Sequence, residues 1–208
     1  DPIRPSGNTA SMKELQPRNL RRLEQTCSSH RSVESTELRE QVVVGRGNPQ
    51  AQMLLIGEAP GADEDARGVP FVGRSGQLLS ALMIEAGLDE ENDLYICNVI
   101  KCRPPKNRKP TSREINLCRP WLEQQIELIN PALVLLSGST ALDALLGIRG
   151  GISKLRGQWH QHKGRDVMPV FHPSYLLRFR SREEGTPQDL TLKDLREARR
   201  RLQLLSRS

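Results

Sequence analysis

Apolar residues along this chain gather in short runs, separated by polar and turn-forming stretches. Four runs stand out: QMLLIG (Gln52–Gly57), LYICNVI (Leu94–Ile100), ALVLLSG (Ala132–Gly138) and DVMPVF (Asp166–Phe171). Each ends in a loop and predicts a buried strand. Between the runs the spacing turns helical. Leu78, Leu79, Leu82 and Met83 fall on one helical face, and Gly87 is a C-terminal stop. Thr111-Ser112-Arg113-Glu114 is a capping-box pattern, and Ile115, Leu122, Ile126 and Ile129 form an apolar stripe behind it. STALDALLG follows the third run as a helix, and the stretch from Leu190 to about Leu205 is a basic amphipathic helix.

Strands alternating with helices imply an α/β fold with a mostly parallel sheet covered on both faces. Ligands of such folds bind beyond the carboxyl ends of the strands. The loops after Ile56, Ile100, Leu136 and Phe171 therefore share one functional rim. Residues 1–11 are rich in Pro, Ser, Gly and Asn, a composition that predicts disorder. Residues 12–26 predict a short helix whose start Pro17 limits, and 28–41 are polar and carry no clear pattern. This reading gives a flexible tail over 1–26 and one domain over 27–205. No internal repeat is visible.

Composition narrows the partners. Lys and Arg number 31 against 25 Asp and Glu among 208 residues, a net charge of +6. The surplus favours an acidic partner such as nucleic acid without requiring one. Arg196, Arg199, Arg200 and Arg201 on the last helix can touch DNA or simply form a solvated face. No apolar run is long enough for a membrane span, and the first residues lack a secretory stretch, so an intracellular protein is expected. Four cysteines in such a chain are metal ligands or buried apolar residues more often than disulfides.

Four constellations can carry chemistry. The loop GEAPGADEDARGVPFVG (Gly57–Gly73) holds glycines, but Glu58, Asp63, Glu64 and Asp65 would repel a polyphosphate. A neutral ring is the better guest, and Phe71 can stack on it or can pin the loop to the core. Asn98 lies inside an apolar strand, where an unpartnered amide costs roughly 1–3 kcal/mol. Its carbonyl can accept from uracil N3–H and its NH₂ can donate to O4, a pattern that cytosine reverses; alternatively it ties down a neighbouring loop. His172 follows the fourth strand, on the same rim, and Pro173 biases it toward extended backbone. Cys102, Cys118 and the Cys27-x-x-His30 pair can together hold iron–sulfur or zinc, with Cys97 as the buried thiol.

Taken together, three stretches resemble the iron–sulfur uracil-DNA glycosylases, the family often numbered 4. They are GNPQAQMLLIGEAPGADEDARGVPFVGRSGQLL, YICNVIKCRPPKNRKP, and VFHPSYLLR with GTPQDLTLKDL after it. The similarity runs in order from about Val42 to about Leu195. It implies a three-layer α/β/α fold with a four-stranded parallel sheet. It implies that Phe71 stacks on an everted uracil, that Asn98 reads its edge, and that His172 lies near uracil O2 and the sugar. Gly57, Glu58 and Glu64 would shape the pocket. Ala59 falls where another branch places a water-activating aspartate that this family lacks. Ser174–Arg178 would probe the duplex beside the lesion. The resemblance also implies a structural 4Fe-4S cluster on Cys27, Cys102 and Cys118. His30 stands where the family has cysteine, which leaves the fourth ligand open.

The expected reaction is hydrolysis of the N-glycosidic bond of uracil in DNA, the opening step of base excision repair. The base must first leave the helix. Lys101, Arg103, Lys106, Arg108 and Arg178 on the rim are expected to hold flanking phosphates. A donor from His172 or a backbone N–H would then stabilise charge growing on O2. A monomer in the cytoplasm, associated with the nucleoid, is expected. Two rivals remain at this point: a nucleic-acid-binding module of the same fold without chemistry, and a glycosylase for deaminated purines.

Overall fold

The five-residue runs Met53–Gly57, Leu94–Asn98 and Leu133–Ser137 are buried at every position, as central strands covered on both faces must be. In the computed structural model, which describes residues 20–23 and 41–207, they are β2, β3 and β4. Arg46–Gly47 forms β1, His160–His162 forms β5 and Arg165–Val170 forms β6. The order across the sheet is β1-β3-β2-β4-β6-β5.

The four inner strands are the four expected from the sequence, and they pair in parallel. The sheet nevertheless has six strands rather than four. β1 and β5 add antiparallel edges of two and three residues. Edges this short carry no apolar run to betray them, and their brevity blunts a sheet edge against further pairing.

Helices cover both faces. They are α1 (Ala62–Arg67), α2 (Arg74–Ala86), α3 (Ser112–Ile129), α4 (Ser139–Leu146), α5 (Ile152–Leu155), α6 (Pro173–Leu176) and α7 (Pro187–Leu205). Strand parity sorts the core into two layers. Leu54, Ile56, Tyr95, Cys97, Val134 and Leu136 point to one face, where they meet Leu122, Ile126 and Ile129 of α3 and Leu142 of α4. Met53, Leu55, Leu94, Ile96, Leu133 and Leu135 point to the other, against Leu79, Leu82 and Met83 of α2 and Leu192 and Leu195 of α7. Each such side chain contributes about 1.5–3 kcal/mol by leaving water. The result is the expected three-layer α/β/α domain.

Local signals set the helix ends. Thr111 accepts from Glu114 N at 3.2 Å while the Glu114 carboxylate accepts from Thr111 N at 3.0 Å, closing the anticipated capping box of α3. Gly87 ends α2 in left-handed backbone, φ 84°. Helix α7 starts three residues earlier than expected, because Pro187 opens its first turn. Three of its basic residues are tied to groups of the protein itself. Arg199 donates to Gly87 O at 2.9 Å, Arg200 to Glu197 at 2.7 Å and Arg201 to Asp166 at 2.6 Å. Residues 20–23 are helical, with Leu20 and Leu23 in the α3-side core. The rest of the expected tail lies outside the described residues. Among the described residues, no helix is long and apolar enough to cross a membrane.

Candidate active site

Gly57 and Asn98 are register partners at the carboxyl ends of β2 and β3. The ladder runs on past them, with Val99 N donating to Gly57 O at 2.8 Å and Ile100 N to Glu58 O at 3.2 Å. Parity puts the Asn98 side chain on the same face as Leu94 and Ile96, which is the layer that contains Phe71. The two groups meet over Gly57. A methyl on Gly57 would lie 2.4 Å from Phe71 Cζ and 2.6 Å from Asn98 Oδ1, so only glycine lets both approach.

Asn98 is 2 % exposed, and its Oδ1 has no hydrogen-bond partner among the described residues. Buried polar atoms are almost always paired, so an orphan at a strand end calls for an explanation. The one other such atom among the described residues, His160 Nε2, lies on edge strand β5.

Phe71 is buried and sits in left-handed backbone, φ 56°, a conformation that costs a non-glycine residue about 1–2 kcal/mol. Its surroundings hold it there. Glu64 spans the loop, its carboxylate accepting from Gly61 N at 3.1 Å, Val72 N at 3.1 Å and Gly73 N at 2.8 Å. Arg46 Nε donates to Pro70 O at 2.8 Å. Gly76 of α2 lies so close that a methyl there would be 2.2 Å from the Phe71 carbonyl carbon. Arg46 and Gly76 were not anticipated; a glycine inside the apolar helix face was the available signal for the second.

The His172 ring stands 5.9 Å from the Phe71 ring, centroid to centroid. It caps α6, where Ser174 N donates to Nδ1 at 3.1 Å and Ser174 Oγ lies 2.7 Å from the same atom. Burial pushes the imidazole down to about 4 from its ordinary 6.5, so the ring is neutral at physiological pH. Gly138, at φ 95°, clears room for it, since a methyl there would lie 3.0 Å from His172 Cβ. Phe71, Asn98 and His172 thus come together on one rim, as the sequence led us to expect.

The remaining expected residues divide. Glu58 is half-buried and its carboxylate accepts from Thr140 Oγ1 of α4, a partner not foreseen. Ala59 is half-buried against the α3-side core and offers no polar group. Arg103 Nε donates to Asn107 Oδ1 at 2.8 Å. Arg108 forks onto Glu114 at 2.5 and 3.0 Å, and that hydrogen-bonded pairing holds the Glu114 carboxyl below its usual range. Lys106, Ser174 and Arg178 are exposed.

Lys101 overturns its expected role. It is 0 % exposed, and its Nζ donates to Asn98 O and to Gln125 Oε1, each at 2.6 Å. A side chain folded under the strand end cannot reach a phosphate. The chain turns inward after β3, which a basic residue in KCRPP gave no hint of.

Cys102 and Cys118 are both fully buried, Cys118 in the α3-side core, where its Sγ accepts from Lys101 N at 3.4 Å. Two buried sulfurs, one receiving a backbone N–H, suit a soft metal centre. Cys27 and His30 lie outside the described residues, and those residues alone hold no group of three or more metal-binding side chains. Cys97, as expected, is a buried thiol, its pKa raised by desolvation.

An aromatic ring, an unpaired carbonyl oxygen and a neutral imidazole on one rim suit a planar, uncharged heterocycle carrying both N–H and C=O groups. Comparison with known proteins gives that geometry a family. The model of the Uracil DNA glycosylase superfamily matches residues 44–196, which include every described site residue from Gly57 to Arg178. A type-4 uracil-DNA glycosylase of Thermotoga maritima is 47 % identical over 165 residues, covering 77 % of this chain and 83 % of that protein. One from Sulfurisphaera tokodaii is 34 % identical over 167 residues, 76 % of each chain. A type-5 uracil-DNA glycosylase of Thermus thermophilus is 34 % identical over 177 residues, 76 % of this chain and 79 % of that one. With the parallel α/β/α frame and the rim constellation in place, the match over most of its length means that this chain belongs to the uracil DNA glycosylase superfamily.

Proposed function

We propose that the protein is a uracil-DNA glycosylase that hydrolyses the bond between uracil and deoxyribose and leaves the DNA backbone intact. The observation that carries this reading is the buried, unpartnered Oδ1 of Asn98 beside the Phe71 ring. Uracil supplies what the oxygen lacks, an N3–H donor, and its O4 accepts from the Asn98 amide NH₂. Cytosine presents a bare N3 and an exocyclic amine, so both contacts become mismatched. A site built to pair a polar edge rejects the wrong edge strongly.

The base reaches the crevice by leaving the helix, at a cost of a few kcal/mol of unstacking. Phe71 stacks on it. Glu64 keeps the Phe71 loop in shape, and Glu58, tied to Thr140, forms part of the wall. Exposed Arg178, Ser174 and Lys106, with Arg103 and Arg108, face the flanking backbone. As the bond stretches, the sugar gains oxocarbenium character and the base becomes anionic. His172 answers that charge. Its Nδ1 is occupied by the Ser174 donors, so the neutral ring carries its proton on Nε2 and donates it toward O2. Water then attacks the sugar and leaves an abasic site.

Cys102 and Cys118, with Cys27 and His30 from the preceding segment, would hold a 4Fe-4S cluster. When bound it would supply a structural cross-link between that segment, the KCRPP loop and α3, with no redox step in the reaction. DNA containing uracil is the partner, and the protein acts as a monomer in the cytoplasm.

The test is incubation of the purified protein with a uracil-containing oligonucleotide, then alkali to break the strand at abasic sites. Cleavage at the uracil is expected. No cleavage, with the oligonucleotide still bound, would leave a binding module. Cleavage only at hypoxanthine or xanthine, in oligonucleotides carrying those lesions, would point to a purine glycosylase.

A further inference from the structure

Lys101 is a fully buried amine at the end of the strand that carries the base-reading amide. Its Nζ donates to the Asn98 backbone carbonyl and to Gln125 Oε1, both at 2.6 Å. Gln125 lies on α3, is likewise 0 % exposed, and passes the chain on by donating from Nε2 to Val44 O at 2.9 Å. Val43 N closes the circuit by donating to Lys101 O at 2.7 Å. No described carboxylate is paired with Lys101. Of these four buried polar links one reaches the Asn98 peptide unit directly, and the other three anchor Lys101 behind it.

The placement has a mechanical meaning. The Asn98 side chain faces the Phe71 layer, whereas Lys101 grips its backbone carbonyl and is itself held by Gln125 of α3. Asn98 ends β3, so its carbonyl would otherwise project into the turn that follows the strand. The Lys101 amine takes that carbonyl and anchors it to a helix. A reading amide needs its aim held to within a fraction of an ångström, and misplacement by about 1 Å can cost about 10²-fold in rate. We infer that Lys101 is a positioning residue: with Gln125 it clamps the Asn98 carbonyl so that the side-chain amide stays aimed at the base edge. It touches neither base nor phosphate. This rests on the glycosylase reading of the site and adds a specificity determinant to it.

The experiment is a cycle of four proteins, wild type, Lys101→Met, Asn98→Ala and the double variant. Each is assayed for single-turnover uracil release and for binding to a uracil-free oligonucleotide across a salt series. Lys101→Met keeps the length of the side chain and removes the donor. We expect it to slow uracil release by about 10²-fold in the wild-type background, and to add little where Asn98 is already alanine. The salt slope of binding should not change. Equal losses in both backgrounds would make Lys101 a general stabiliser and overturn the inference. A salt slope shallower by about one would make it a phosphate contact and overturn it too. If Lys101→Met does not fold, Gln125→Leu, which frees the amine from its second anchor, takes its place in the same cycle with the same expected pattern. Absence of uracil release by the wild type would instead refute the glycosylase reading itself. The clamp would then be judged by hydrogen exchange at Val99 and Ile100, where Lys101→Met should speed exchange and an unchanged rate would refute it.

Discussion

Ser174 N donates to His172 Nδ1 at 3.1 Å, and that single bond selects the tautomer of the histidine on the rim. An occupied Nδ1 leaves Nε2 as the protonated nitrogen of the neutral ring. Desolvation keeps the ring neutral down to about pH 4. The imidazole is therefore a ready donor over the whole physiological range, and Ser174, expected to contact DNA, has a second task that only the structure reveals.

His172→Ala should retain uracil-DNA binding and slow turnover by about 10²–10³-fold, as loss of one preorganised donor does. Single-turnover kinetics beside a binding isotherm would check it. Unchanged turnover would remove His172 from the chemistry.

The same ring gives a pH signature. Folded, it takes its proton near pH 4; unfolded, near its ordinary 6.5. Between those values the unfolded chain binds more protons, so His172's contribution to stability is complete above about 6.5 and falls as pH drops toward 4. Urea unfolding of wild type and His172→Ala at several pH values should show a shallower acid loss in the variant. Turnover should stay level as pH crosses 6.5; an inflection there would contradict a depressed pKa.

Gly57→Ala places a methyl 2.4 Å from Phe71 Cζ and 2.6 Å from Asn98 Oδ1. Both groups must retreat, at an overpacking cost of about 1–3 kcal/mol. We expect a modest drop in melting temperature and a much larger loss of uracil release. A variant that excises uracil at the wild-type rate would show that these two side chains do not share a guest.

Asn98→Asp replaces the NH₂ donor by a second acceptor. Preference for uracil over cytosine should weaken, measured as the ratio of release rates from matched oligonucleotides. Full discrimination in the variant would mean that Asn98 does not read the base.

Glu64→Ala removes the acceptor for three backbone N–H groups of the Phe71 loop. Stability should fall by about 1–3 kcal/mol, and turnover should fall further than binding to uracil-free DNA. Equal effects on the two would place the loop outside the base pocket.

The proposed cluster has its own readout. Purified anaerobically, the protein should be brown, and Cys102→Ser or Cys118→Ser should bleach it and lower its melting temperature. A colourless protein that contains zinc would replace iron–sulfur by zinc on the same donors.

Much of this molecule is written in one dimension. The four inner strands were legible because central parallel strands are apolar at nearly every position. The ends of α2 and α3 were legible because Gly87 and the Thr111–Glu114 box act on their own neighbours. The rim followed from topology, and with it the grouping of Phe71, Asn98 and His172. What the tertiary structure alone decided involves partners distant in sequence or turns without a pattern. The edge strands β1 and β5 are too short to show a period. Lys101 looks like a surface base in a basic stretch, and only the inward turn after β3 brings it to Gln125, 24 residues on. Glu64 reads as one more loop carboxylate until the fold brings Val72 and Gly73 to it. Local sequence sets which elements form, because propensity and burial pattern act over a few residues. Which polar groups end up paired depends on where the chain returns, and at this site that return leaves one amide oxygen waiting for its donor.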